Sequence, residues 1–158
     1  IQQVAERLRE FPHVLGYDTL NEPSQGFIGF PDANQIPFEF ASYGALPTIY
    51  QSLLLAAGYP QTVNKANKLP LPSSQTVVVN SAGLRLYREG VTPIWQQNGV
   101  WDVDAAGNPQ LLQPDYFGQV AGQPVNFDQQ FFAPFVRRYT AAIRSIHPDA
   151  LILFSAAG

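Results

Sequence analysis

The sequence predicts an α/β fold with a parallel sheet, and three observations support this. Two short apolar runs, at 14–20 and 150–155, are typical of strands covered on both faces. A helical pattern precedes each run, at 1–10 and 126–147. Two strands joined through a helix favour parallel pairing with a right-handed crossover. A doubly wound sheet and a (β/α)8 barrel both fit this order. Because a barrel needs about 250 residues, 158 residues would hold only part of one.

Each helix is predicted by an apolar stripe at helical spacing. In the first helix the stripe is Ile1, Val4, Ala5 and Leu8, and Pro12 ends it. In the second helix the stripe is Phe132, Phe135, Val136, Tyr139, Ile143 and Ile146. Asn126 or Asp128 could cap this second helix, and Pro134 would either kink it or mark its first turn.

A long insertion, residues 24–125, separates the first strand from the second helix. Loops at this position usually take about 2–6 residues, so the insertion is expected to serve function. Within it, the pattern predicts a short helix at 50–57 and two hairpins. One hairpin would pair 76–79 with 84–87, and the other would pair 100–104 with 110–112.

Composition excludes several functional classes. The chain has no cysteine, so disulfides, thiolate metal sites and thiol catalysis are absent from it. Its formal net charge is −3 and it has no basic stripe, which argues against a nucleic-acid partner. Asp102 and Asp104 flank Val103, but the rest of a calcium loop is missing. We therefore expect no bound metal.

The candidate chemistry lies at the end of the first strand, in Asn21-Glu22-Pro23. Pro23 has no N–H to donate and ends the ladder. A strand that ends in this way presents a carboxylate beside a side-chain amide at the mouth of a sheet. Glycoside hydrolysis needs such a carboxyl group to protonate a leaving oxygen. The tripeptide also forms turns readily. The catalytic interpretation therefore depends mainly on its position after a buried strand and before a long loop.

The strand and the helix-to-strand unit resemble glycoside hydrolase family 5. The run 16–23, Gly-Tyr-Asp-Thr-Leu-Asn-Glu-Pro, is similar to the fourth-strand signature of that family. The run 134–152 is similar to the unit that follows it there. The insertion, with Trp95 and the segments 98–104 and 114–117, is most similar to the fungal glucosylceramidase and endoglycoceramidase-related branch.

The resemblance implies a retaining β-glycosidase on a (β/α)8 barrel, of which residues 1–158 are a partial catalytic domain. They would cover about the third helix to the fifth strand, with 24–125 as a βα-loop insertion. By the match, Glu22 is the general acid/base and Asn21 binds the sugar 2-hydroxyl. The family's nucleophile is a second Glu on the seventh strand, which this sequence does not reach. We therefore expect the isolated 158 residues to be inactive.

The same resemblance implies a β-glucoside substrate with a hydrophobic aglycone, such as glucosylceramide or a steryl glucoside. Two carboxyl groups suffice for the reaction, so no cofactor is expected. Contact with a membrane surface would come through the substrate, and the missing barrel strands of the parent chain are the expected protein partner. Trp95 and Trp101 are candidates for sugar platforms or aglycone contacts, or else for a small core under the insertion.

Two other functions fit the same residues. One is a noncatalytic carbohydrate- or lipid-binding protein on a decayed barrel, which would bind without turnover. The other is a family member that acts on β-mannan or cellulose, with an open cleft lined by exposed aromatic side chains. A Glu at the end of a later strand of the parent protein would distinguish the enzymes from the binding protein.

Overall fold

A computed structural model describes residues 1–37, 44–66 and 72–155. In chain order the elements are α1 (Gln2–Leu8), β1 (Gly16–Asp18), β2 (Ala45–Leu46), α2 (Ile49–Ala57), β3 (Gln61–Ala66), β4 (Pro72–Val79), α3 (Ile94–Gln97), β5 (Trp101–Val103), β6 (Pro109–Leu111), β7 (Gln119–Val120), β8 (Gln123–Pro124), a π-helical turn (Asp128–Phe132), α4 (Ala133–Arg144) and β9 (Leu151–Leu153). Contacts divide the chain into two compact units, the first made of Ile1–Ile28 and Val125–Gly158 and the second of Gly29–Pro124. Among the described helices, none has the length and apolar character needed to cross a membrane.

The first unit contains the parallel pair that the sequence predicts. Strand β1 pairs with β9 in parallel, with Gly16 opposite Leu151 and Asp18 opposite Leu153. The backbones approach closely, because a Cβ added at Gly16 would collide with the carbonyl oxygen of Leu151. The prediction of parallel strands is therefore confirmed, although each strand is shorter than its apolar run.

Helices cover one face of this pair. The buried core of the first unit consists of Ala5, Tyr17, Ile143 and Ala150. On β9, the side chains of Leu151 and Leu153, which alternate with the helix-facing Ile152, are exposed by 56% and 57%. Within the described residues, nothing therefore covers the second face of the pair. The described side chains outside the strands pack only against the face of the sheet that the helices cover.

The second helix begins with the π-helical turn rather than as regular α-helix. The Asn126 side chain accepts a hydrogen bond from the Gln129 backbone N–H at 3.0 Å, and the Gln130 side chain accepts one from the Asn126 N–H. This confirms Asn126 as the cap. Pro134 lies where this turn passes into α4, and because it has no N–H it donates no helical hydrogen bond there.

The second unit has its own sheet, with strand order β2-β3-β4 and antiparallel pairing throughout. The predicted short helix is confirmed as α2. It begins with a capping box in which the Thr48 hydroxyl accepts from the Gln51 N–H and the Gln51 side chain accepts from the Thr48 N–H. It ends at Gly58, whose φ of 96° is a conformation that glycine adopts without strain.

One predicted hairpin is confirmed and the other is wrong. Strands β5 and β6 pair antiparallel, as the pattern at 100–112 indicates. Strand β4, however, pairs with β3, which precedes it, and residues 84–87 form no strand. Asn80, with φ of 58°, bonds through its side chain to the Leu84 backbone N–H and C=O, both at 2.8 Å. The Leu86 N–H then donates to the Ala56 carbonyl, which directs the segment to α2.

The close approach at Gly16 predicts a stability effect. Replacing Gly16 with alanine adds a methyl group against backbone, which cannot move aside as a side chain can. We expect Gly16→Ala to destabilise the intact protein by about 1–3 kcal/mol, measured by thermal unfolding. Arg138→Ala, at an exposed position of α4, serves as the control and should change stability by less than about 0.5 kcal/mol. Equal melting temperatures for the two variants would contradict the close-packed pairing.

Candidate active site

The end of the β1–β9 ladder positions the candidate carboxylate. The last bond of the ladder runs from the Thr19 N–H to the Leu153 carbonyl, at 3.0 Å. Beyond it the chain leaves the sheet through Leu20 and Asn21 to Glu22. Because the strands are parallel, their carboxyl ends lie at the same edge. Ligands and catalytic groups of α/β proteins are found at this edge.

Glu22 has an unusual backbone conformation. Its φ is 42°, in the left-handed region that a non-glycine residue rarely adopts. Such a conformation costs about 1–3 kcal/mol and tends to occur at functional sites. The side chain of Glu22 is exposed. The sharp change of direction therefore presents this carboxylate outward where the strand ends.

The side-chain amide of Asn21 lies next to Glu22 in the chain. Asn21 and Glu22 are both exposed, and within the described ranges neither side chain has a hydrogen-bond or ion-pair partner. Pro23, which follows, is buried. A carboxylate and an amide with free hydrogen-bonding capacity, next to a fixed proline, can contact the hydroxyl groups and the glycosidic oxygen of a sugar.

A tyrosine of α4 holds the strand just before this segment. The Tyr139 hydroxyl donates to the Asp18 carbonyl at 2.7 Å. Burial raises the pKa of Tyr139 above its usual value, and the charges of Asp18 and Tyr17 add to the rise. Since a phenol has an ordinary pKa of about 10, the hydroxyl is protonated and can donate at neutral pH with or without this rise. In the sequence Tyr139 belongs to the apolar stripe of the helix, and no local pattern indicates the partner of its hydroxyl.

A second tyrosine contact lies beneath the sheet. The Tyr17 hydroxyl is 3.2 Å from His147 Nδ1, and the two rings meet edge to face at 5.9 Å. The side chain of His147 therefore contacts the strand that carries the candidate site.

The two tryptophans lie in the second unit, whereas Asn21 and Glu22 lie in the first. Trp95, in α3, is half-buried, and its ring meets Phe117 and Tyr116 edge to face at 5.0 and 6.0 Å. An aromatic ring that is partly accessible can still stack on a sugar or contact a lipid chain. The packing of Trp95 against these rings is also typical of a small hydrophobic core.

Trp101 has a different environment. It is only 1% exposed, and its ring meets Tyr59 edge to face at 5.9 Å. It also borders a cavity of about 210 Å³, and none of the described residues that line this cavity is acidic. With both faces covered, Trp101 cannot serve as a sugar platform in this conformation. Its burial favours the second of the two expectations, a core beneath the insertion.

Asp102 and Asp104 act in the β5–β6 hairpin. The Asp104 side chain accepts bonds from the backbone N–H of Asn108 and of Ala106, at 2.8 and 2.9 Å. Hydrogen bonds from Asn108 hold the pKa of Asp104 below its ordinary value, and one from Gln96 does the same to the pKa of Asp102. Over the described residues, no group of three His, Asp or Glu side chains could hold a metal. These carboxylates therefore stabilise a turn.

Comparison with known proteins gives a consistent set of relatives. No protein-family model matches the chain. A glucosylceramidase of Rhizopus delemar is 34% identical over 154 residues, which is 94% of this chain and 22% of the relative. An ergosteryl-β-glucosidase of Saccharomyces cerevisiae is 27% identical over 142 residues, 75% of this chain and 19% of the relative. The chain thus spans about a fifth of the length of the curated relatives it matches.

Solved structures give the same result. The crystal structure of Cryptococcus neoformans sterylglucosidase 1 with tris matches with a TM-score of 0.83 and 27% identity, over 98% of this chain and 26% of that one. A second structure of the same protein, with hit 9, matches with a TM-score of 0.84 over 99% of this chain and 26% of that one. The chain therefore resembles lipid-glucosidases in sequence and in structure.

The different burial of the tryptophans predicts different effects of their loss. Trp101→Ala removes a large buried side chain and should destabilise the second unit by about 3–5 kcal/mol. Trp95→Ala removes a half-buried ring and should cost less. Limited proteolysis and thermal unfolding of the intact protein would measure both. If Trp95→Ala were the more destabilising of the two, the assignment of Trp101 to the core would be wrong.

Proposed function

We propose that the protein containing this chain is a retaining β-glycosidase that hydrolyses a lipid-linked β-glucoside, with Glu22 as its general acid/base. One observation carries the proposal. Glu22 is an exposed, unpartnered carboxylate among the described residues, at the carboxyl end of a parallel strand pair, in a segment that aligns with glucosylceramidases and a sterylglucosidase. The carboxyl ends of parallel strands are where (β/α)8 enzymes carry their catalytic groups, which supports the proposal.

We propose further that the chain is part of a (β/α)8 barrel of glycoside hydrolase family 5, with residues 24–125 as an insertion after the acid/base strand. The exposed apolar face of the β1–β9 pair supports the barrel. Leu151 and Leu153 point away from the helices, as do the side chains that fill the interior of such a barrel. The remaining strands of the parent protein would cover that face.

In the first chemical step, the protonated Glu22 carboxyl gives its proton to the glycosidic oxygen as the bond from that oxygen to the anomeric carbon breaks. A second carboxylate, outside this chain, forms the new bond to the anomeric carbon and gives a glycosyl ester. In the second step, the Glu22 carboxylate takes a proton from water, and the water oxygen displaces the ester. The sugar leaves with its original configuration, and Glu22 regains its proton.

Asn21 would bind the sugar 2-hydroxyl, an interaction that strengthens as the transition state forms. Trp95 is the tryptophan whose partial exposure still allows a substrate contact. Glucosylceramide and a steryl glucoside are the proposed substrates, because the relatives carry the names glucosylceramidase and ergosteryl-β-glucosidase. Such lipids reside in membranes, so contact with a membrane surface would come through the substrate.

If Glu22 is the acid/base, its replacement should lower kcat/KM by an amount that depends on the leaving group. A lipid alkoxide needs protonation to depart, whereas a dinitrophenolate does not. In the intact protein, we expect Glu22→Gln to lower kcat/KM on glucosylceramide by about 10²–10⁴-fold. The value on a dinitrophenyl β-glucoside should fall far less. The measurement is hydrolysis of both substrates at equal enzyme concentration.

Glu10→Gln is the matched control, because it makes the same chemical change at an exposed position before the strand. Its rates should equal those of the unmodified protein. Equal losses on the two substrates for Glu22→Gln, or no loss at all, would remove Glu22 from the acid/base role. Binding of the lipid without turnover by the unmodified protein would favour a noncatalytic binding barrel.

If Asn21 binds the sugar 2-hydroxyl, its replacement should lower kcat/KM only on substrates that carry this hydroxyl. Asn21→Ala should lower kcat/KM on an aryl β-glucoside on the order of a hundredfold, since the 2-hydroxyl contact is worth several kcal/mol in the transition state. On the matching 2-deoxyglucoside, which lacks that hydroxyl, the variant and the unmodified protein should have similar rates. A loss of the same size on both substrates would contradict a contact with the 2-hydroxyl.

A further inference from the structure

The hydrogen bond from Tyr139 acts on the backbone that leads to Glu22. Its acceptor is the carbonyl of Asp18, the last residue of β1, and its donor comes from α4, far along the chain. One residue further, the Thr19 N–H makes the last ladder bond to Leu153. Past Thr19, the described chain offers no partner to the Asn21 or Glu22 side chain. The position of Glu22 therefore depends on how the end of β1 is held.

The geometry of Tyr139 is well defined. Its ring packs against Phe135 at a centroid distance of 6.0 Å, and it belongs to the partly buried shell around the core that contains Tyr17 and Ile143. A hydroxyl on a packed ring has few alternative positions, so its bond to the Asp18 carbonyl also restricts that peptide.

We infer that Tyr139 is a positioning residue for the acid/base, holding the end of β1 so that the strained backbone at Glu22 aims its carboxyl group at the glycosidic oxygen. This inference rests on the proposed function of Glu22. Proton transfer needs donor and acceptor heavy atoms about 2.6–3.2 Å apart. A displacement of about 1 Å can lower a rate a hundredfold. Releasing the Asp18 carbonyl allows such a displacement without removing any group that touches the substrate.

Tyr17 provides the matched control. It is the neighbouring residue on the same strand, and its hydroxyl also makes one tertiary hydrogen bond, to His147 at 3.2 Å. That partly buried bond joins two side chains and does not involve the backbone of Asp18 or Thr19. Tyr17→Phe and Tyr139→Phe thus delete the same hydroxyl group from the same kind of ring. Only Tyr139→Phe removes a hydrogen bond to the backbone that leads to Glu22.

The experiment measures kcat/KM of the intact protein on glucosylceramide and on a dinitrophenyl β-glucoside, for the unmodified protein, Tyr139→Phe, Tyr17→Phe and Glu22→Gln. For Tyr139→Phe we expect a loss of about tenfold or more on glucosylceramide. On the aryl glucoside, whose leaving group needs no proton, its change should stay within about twofold. Tyr17→Phe should stay within about twofold on both substrates. A fall in kcat/KM that depends on the leaving group identifies impaired proton donation. A general loss of stability would lower kcat/KM equally on both substrates.

The outcomes separate the inference from the function on which it rests. If Glu22→Gln shows the leaving-group dependence and Tyr139→Phe loses activity equally on both substrates, or matches Tyr17→Phe, the positioning role is wrong and the function stands. Failure of Tyr139→Phe to fold would also overturn the inference, since it would assign the bond to stability. If Glu22→Gln shows no such dependence, the proposed function itself fails.

Discussion

The parallel pairing of β1 with β9 is the constraint on which the rest of the first unit depends. It requires the two backbones to approach so closely that only a glycine fits at position 16, opposite Leu151. Parallel pairing in turn requires a connection that crosses back over the sheet, and α4 belongs to that connection. The carboxyl ends of both strands then lie at one edge. The Asn21-Glu22 segment emerges there because the ladder ends at Thr19.

Helix α4 has two roles in this arrangement. Ile143 packs into the core and covers one face of the sheet, while Tyr139, one turn earlier, hydrogen-bonds the end of the strand. Packing and positioning therefore come from the same helix. The second unit is stabilised differently, with buried Trp101, a capped helix α2 and turns held by Asn80 and Asp104. Asp102 and Asp104 of that unit accept hydrogen bonds, whereas the Glu22 side chain has no such partner within the described residues.

The sequence predicted those features that depend on local pattern. Apolar periodicity located α4, β9 and α2, and the β5–β6 hairpin followed from alternation around a Gly-Asn turn. The sequence motif located Asn21 and Glu22 at the end of β1. Features that depend on tertiary contacts were missed. The partner of β4 is β3, whose polar residues obscure its single buried valine, Val63. Neither the burial of Trp101, the left-handed backbone of Glu22 nor the acceptor of Tyr139 leaves a local signal.

A crystal structure of the intact Glu22→Gln protein with uncleaved glucosylceramide bound would show where residue 22 lies relative to the scissile bond. If Glu22 is the acid/base, the side-chain amide at position 22 lies about 2.6–3.2 Å from the glycosidic oxygen. The Tyr139 hydroxyl should still donate to the Asp18 carbonyl in that complex. A glycosidic oxygen beyond the reach of position 22, with a different carboxyl group beside it, would contradict the assignment of Glu22 as the acid/base.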